Sequence, residues 1–218
     1  MIRYAHLHGF ASSPRSHKGT HMARAFSARG VTLKLLNLNR PSFARLTYTA
    51  ALEAMTEAHA QAPEGTRWRL SGSSMGGWVA ARWAELNPDK VERLLLLCPG
   101  FNLMERWPAL LGEEAWARWE AEGEWPFEDA DGREIAVWWR FILDARTHPP
   151  LPEVPCPTLI IHGTRDVIVP LEGSREYAAS RDHVELVEVD SDHGLVSALP
   201  EITERAMAFL GEDDVATR

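Results

Sequence analysis

Four consecutive leucines, Leu94-Leu95-Leu96-Leu97, close an apolar run just before Cys98. Successive side chains of a strand point to opposite faces, so a strand that is apolar at every position needs both faces of its sheet covered. That requirement selects a parallel sheet held between layers of helices. The rest of the chain keeps the matching rhythm. Strands are predicted at Ile2 to Leu7, Val31 to Leu38, Arg67 to Ser71, Val91 to Cys98, Thr158 to His162 and Val184 to Val189. Helical spacing fills the intervals. Ser16 to Arg29 carries Met22, Ala25 and Phe26 on one face and ends at Gly30, a C-cap residue. Thr47 to Ala60 and Met75 to Asn87 follow, the latter stopped by Pro88. Pro200 to Leu210 opens with a proline in its first turn. The fold class is therefore α/β, with a mostly parallel six-stranded sheet and helices on both faces. A length of 218 residues suits a single domain, 1–218.

Residues 101–150 break the rhythm, being too long for a strand-to-helix connection. They hold six of the nine tryptophans: Trp107, Trp116, Trp119, Trp125, Trp138 and Trp139. Leu103, Trp107, Leu110 and Leu111 form one helical face, and Ile135, Trp138, Trp139 and Ile142 another. The segment is predicted to be a helical lid inserted in the domain. Most of its tryptophans are expected to anchor it by packing, with one or two facing a pocket. The prolines from Pro149 to Pro157 suggest a stiff return to the core, and the acidic tail from Gly211 is expected to fray.

A net charge of −8 argues against nucleic-acid or anionic-membrane partners, which call for a basic face. Cys98 and Cys156 read as two reduced, buried thiols. No apolar segment reaches membrane-spanning length, and a strand beginning next to Met1 leaves no room for a cleaved leader. Cytoplasmic residence is the expectation. The oligomeric state stays open.

Chemistry concentrates around Gly72-Ser73-Ser74-Met75-Gly76, a G-x-S-x-G pattern between a predicted strand and a predicted helix. In a sharp strand-to-helix turn, Ser74 stands exposed at a helix N-terminus, while Gly72 and Gly76 allow close approach. A serine hydroxyl is a weak nucleophile and needs an oriented base. Asp166 lies just past the strand ending at His162, and His193 just past the strand ending at Val189. Catalytic groups of open parallel sheets gather at such carboxyl ends. Asp190 and Asp192 compete for the acid role but sit too close to His193 along one loop, so they are assigned to shaping the turn. An oxyanion needs two aimed N–H groups. Met75 supplies one, and Phe10 in the loop His8-Gly9-Phe10 is chosen for the other. His17 and His21 have i, i+4 spacing but no third ligand, so no metal and no cofactor are expected. His6 reads as a core histidine.

Together, His8-Gly9-Phe10, Gly72 to Trp78, His162-Gly163 with Asp166 to Pro170, and Ser191-Asp192-His193 resemble the small lidded serine hydrolases of the α/β-hydrolase superfamily. Within it the chain is similar to bacterial esterases and to the mitochondrial acyl-protein thioesterase and acyl-glucuronide esterase type. The resemblance implies an α/β-hydrolase fold, the triad Ser74, Asp166 and His193 in the superfamily's chain order, and Phe10 and Met75 as oxyanion donors. It also implies a small-molecule acyl ester or thioester as substrate. An acyltransferase or peptidase using the same triad, and a non-catalytic ligand-binding homologue, are the alternatives. Against larger members of the superfamily, the chain opens directly on the strand carrying the His8-Gly9 loop, so their leading hairpin is not expected.

Overall fold

A computed structural model describes residues 1–211 of the chain. Its central sheet comprises β1 (Ile2–Leu7), β2 (Leu33–Leu36), β3 (Arg67–Ser73), β4 (Val91–Leu97), β7 (Thr158–Gly163) and β8 (Val184–Val189). Their order is β2-β1-β3-β4-β7-β8, and every pairing is parallel. The helices are α1 (His17–Ala28), α2 (Tyr48–Ala60), α3 (Met75–Leu86), α4 (Leu103–Leu111), α5 (Glu113–Glu122), α6 (Arg140–Ala145), α7 (Leu171–Ala179) and α8 (Leu199–Gly211). Strand boundaries move by at most two residues from the predicted ones, and both ends move only at β2. The tail after residue 211 lies outside the described residues.

The leucine run explains the layering. Leu94 and Leu96 join the core under α2, α3 and the inserted segment, whereas Leu95 and Leu97 join the opposite core with Met22, Phe26, Ile202 and Ala206 of α1 and α8. All four are fully buried. Ser16 and Thr47 cap α1 and α2 by accepting hydrogen bonds from the Gly19 and Ala50 amides.

Residues 101–150 differ from the helical expectation. Besides α4, α5 and α6 they contain an antiparallel hairpin of β5 (Glu124–Glu128) and β6 (Glu134–Trp138). Ile135 and Trp138 therefore lie on a strand. The apolar run Ile135-Ala136-Val137-Trp138 fits a helical face by spacing alone, whereas its strand partner β5 alternates exposed and half-buried residues. The turn signal is Asp129-Ala130-Asp131-Gly132, with Gly132 at φ 77°. Trp119 is the anchor: it is fully buried, donates from Nε1 to the Val137 carbonyl at 2.8 Å and contacts Trp107, Trp116, Phe127, Trp139 and Phe141. Trp138 is 39% exposed, with the Arg45 guanidinium over its ring. The two ends of the segment meet, since the Asn102 amide donates to the Pro150 carbonyl at 3.2 Å. Among the described residues no helix is long and apolar enough to cross a membrane.

Candidate active site

Ser74 adopts φ 52°, ψ −119° between β3 and α3. This region is costly for a residue with a side chain, by about 1–3 kcal/mol, and the surroundings enforce it. Its amide donates to the Leu97 carbonyl, and its own carbonyl accepts from Gly77, Trp78 and Gly100. The flanking glycines are sterically required. A Cβ on Gly72 would lie 2.3 Å from the Gly76 carbonyl oxygen, and one on Gly76 2.2 Å from that of Leu7. The hydroxyl makes no helix-capping bond.

The loop after β1 packs onto this turn, as a Cβ on Gly9 would lie 3.3 Å from Ser74 Cβ. His8 orients it. The Leu38 amide donates to His8 Nε2 at 3.1 Å, so the proton sits on Nδ1, which donates to the Gly9 carbonyl at 2.8 Å. Because a trans peptide points its C=O and N–H in opposite directions, the Phe10 N–H faces away from His8. Burial lowers the His8 pKa, opposed by its bonds to Gly9 and Asn37. The Phe10 ring is locked among Phe43, Trp107, Phe127 and Phe141. Met75 begins α3, where the first amides have no partner within the helix.

Asp166 and His193 come together, with His193 Nδ1 2.7 Å from Asp166 Oδ2. That bond leaves Nε2 of the neutral ring as the basic nitrogen. The Asp166 side chain is fully buried and that of His193 22% exposed. Burial would raise the Asp166 pKa, but hydrogen bonds from His162 and His193 outweigh it and hold the carboxyl well below the usual carboxylate range. No hydrogen bond joins Ser74 to His193 among the described residues.

Asp192 Oδ1 accepts from the Leu195 amide at 3.2 Å, the turn-shaping role expected of it, and Asp190 pairs with Arg165 at the surface. His17 and His21 are exposed on α1. His6 is buried, bonds Ser71 Oγ at 3.0 Å and has its pKa lowered to about 3, chiefly by burial. Cys98 and Cys156 are buried and unbridged.

Three neighbours of the site went unrecognised in the sequence. Cys98 Sγ lies within 4.8 Å of ligand atoms of Asp166 and His193, and burial pushes its thiol up to about 12. Lys18 donates to the His193 carbonyl at 3.4 Å. His162 touches Asp166 from behind, at 3.2 Å. Only the last had a signal, a histidine at a strand end four residues before the acid. The insertion reaches the same loop, where Arg106 Nε donates to the Ile168 carbonyl.

A profile described as an uncharacterised protein family (UPF0227) matches residues 3–211. Among curated proteins, the mitochondrial palmitoyl-protein thioesterase ABHD10 of Homo sapiens is 33% identical over 143 residues, covering 57% of this chain and 43% of that protein. Its Mus musculus counterpart is 31% identical over 115 residues, covering 50% and 38%. The chain thus spans less than half the length of the curated relatives it matches. Among solved structures, alpha/beta hydrolase domain-containing protein 10 from mouse superposes with a TM-score of 0.73 at 21% identity, covering 97% of this chain and 89% of that one. A putative hydrolase from Agrobacterium vitis S4 gives 0.77 at 21% identity, with 96% and 88% covered. Est1E from Butyrivibrio proteoclasticus gives 0.72 at 20% identity, with 97% and 87% covered. These likenesses show the α/β-hydrolase fold.

Proposed function

The chain belongs to the uncharacterised protein family UPF0227, and from that premise we propose that it is a serine hydrolase cleaving carboxylic esters or thioesters. The observation that carries this reading is the 2.7 Å His193–Asp166 bond at the strand ends, beside a serine held at φ 52°. His193 Nε2 takes the proton of Ser74, whose Oγ attacks the acyl carbon. The tetrahedral oxyanion is held by the amides of Phe10 and Met75. His193 returns the proton to the leaving alcohol or thiol, and water, activated by the same nitrogen, releases the acid from the acyl-enzyme. Asp166 keeps the imidazole in the Nδ1–H tautomer and stabilises its charged form. A free enzyme need not show the Ser74–His193 hydrogen bond, since catalytic hydrogen bonds tighten only once substrate is bound.

The curated relatives named palmitoyl-protein thioesterase support the same class. Residues 101–150 act in this reading as a lid. A cavity of ≈160 Å³ between them and the core, walled by Tyr48, Trp78, Gly100, Leu103 and Pro149, meets the elbow at Gly100. The reaction is proposed for a reducing compartment, the cytoplasm, where unbridged Cys98 and Cys156 are expected.

A fluorophosphonate probe should label Ser74, and Ser74→Ala should abolish labelling and lower turnover of p-nitrophenyl esters by on the order of 10⁴ to 10⁶. Hydrolysis unchanged in that variant refutes the triad. Matched oxygen esters and thioesters of increasing chain length then rank the leaving group and the acyl size.

A further inference from the structure

The hydrolytic steps above make no use of His162, yet it is fully buried against the acid they depend on. Asp166 Oδ1 accepts from the amides of Ile168 and Val169, each at 2.9 Å. Oδ2 faces His193 Nδ1 at 2.7 Å and His162 Nε2 at 3.2 Å. The same His162 Nε2 lies 2.9 Å from the Val169 carbonyl oxygen. Both of its neighbours are acceptors only, so this nitrogen carries a proton, which the Val169 carbonyl accepts while Asp166 Oδ2 stands in ion-pair contact beside it. Nδ1 of the neutral ring then accepts from the Ser174 hydroxyl, 2.8 Å away and itself buried. Three hydrogen bonds thus hold one carboxylate, two of them from a single short loop, and the His162 N–H lies against it at 3.2 Å.

The donor sources differ in rigidity. Asp166 itself sits in the loop after β7, whereas His162 is part of β7 and Ser174 belongs to α7. We infer that His162, with its tautomer set by Ser174, is a positioning residue that keeps Asp166 Oδ2 turned toward His193. It acts through the acid and never touches substrate. The depressed Asp166 pKa agrees with this geometry, because the hydrogen bond from His162 is the strongest of the influences that lower it. The inference rests on the hydrolase reading given above.

Three variants test it with p-nitrophenyl esters: His162→Phe, which keeps a ring without a donor; His162→Gln, which restores an N–H; and Ser174→Ala. Each is followed by kcat, KM, urea midpoint and the low-field proton resonance of the His193–Asp166 bond. His162→Phe should lower kcat up to ~100-fold, the scale of a small misplacement of a catalytic group, with KM nearly constant. His162→Gln should recover most of that loss. Ser174→Ala, the milder change, should cost roughly fivefold and shift the resonance, and it decides the matter if His162→Phe does not fold. Native kcat and an unmoved resonance in a folded His162→Phe or in Ser174→Ala overturn the inference. So does an equal loss in Gln and Phe, which marks a purely structural residue. If the native protein takes no fluorophosphonate label, the hydrolase reading itself has failed; label without any effect of these variants rejects the positioning role alone.

Discussion

Gly76→Ala should separate the steric demand of the elbow from ordinary helix propensity. The added Cβ would stand 2.2 Å from the Leu7 carbonyl oxygen and 2.4 Å from that of His8. Both obstacles are backbone of β1 and its following loop, so no side chain can turn aside. Restoring an ordinary separation of about 3.5 Å requires α3 and β1 to part by on the order of 1 Å. Overpacking of this kind costs about 1–3 kcal/mol or more, and an inflexible neighbour puts the case at the upper end. Alanine returns about 1 kcal/mol of helix propensity. The net loss of ~2 kcal/mol corresponds to a Tm lower by roughly 4–8 °C for a chain of this size. The same displacement separates Ser74 and the Met75 amide from the Phe10 loop, and a misplacement of that size costs about 100-fold in turnover. Gly173→Ala is the internal standard. It lies in α7 with nothing within 4 Å of its added Cβ, and should gain up to roughly 1 kcal/mol. Differential scanning calorimetry and ester hydrolysis on both variants decide the point. Gly76→Ala that melts and turns over like the native protein refutes the packing argument.

Buried histidines make stability fall with acid. His6 is held neutral in the fold with a pKa of about 3, so above its unfolded value of about 6.5 it has no effect. Below that the unfolded chain binds a proton the native state refuses, and stability drops until about pH 3. Between pH 7 and pH 5 the loss reaches up to about 2 kcal/mol, and His6→Asn should remove it. Equal shifts in urea midpoint for native protein and variant over that interval would count against this assignment. Trp119→Ala should cost about 3–5 kcal/mol and remove the near-ultraviolet circular dichroism of the aromatic cluster in the insertion. An unchanged urea midpoint would show that the cluster does not support the fold.

The sheet was legible because its strands are short, apolar and punctuated. The turn at Ser74 and the approach of Asp166 to His193 were legible because each residue sits just past a strand end, where sequence order maps onto space. The hairpin was not: Ile135, Trp138, Trp139 and Ile142 match a helical face arithmetically, and only the Asp-Gly turn between β5 and β6 distinguishes the two periods. Helix α7 begins directly after Pro170, in a stretch where turn residues mask its start. Lys18 and Cys98 meet Asp166 and His193 from separate elements, and one-dimensional spacing carries no trace of such meetings, whereas His162 left only its place four residues before Asp166.

The Asn102–Pro150 hydrogen bond has an evolutionary consequence. Because entry and exit of the aromatic segment close on each other at the sheet's rim, whatever lies between them is a cassette. Loop-closure entropy grows only logarithmically with length, so cassettes of different size can be exchanged there at little cost. The segment can then change in length and composition without disturbing the sheet ends that carry Ser74, Asp166 and His193.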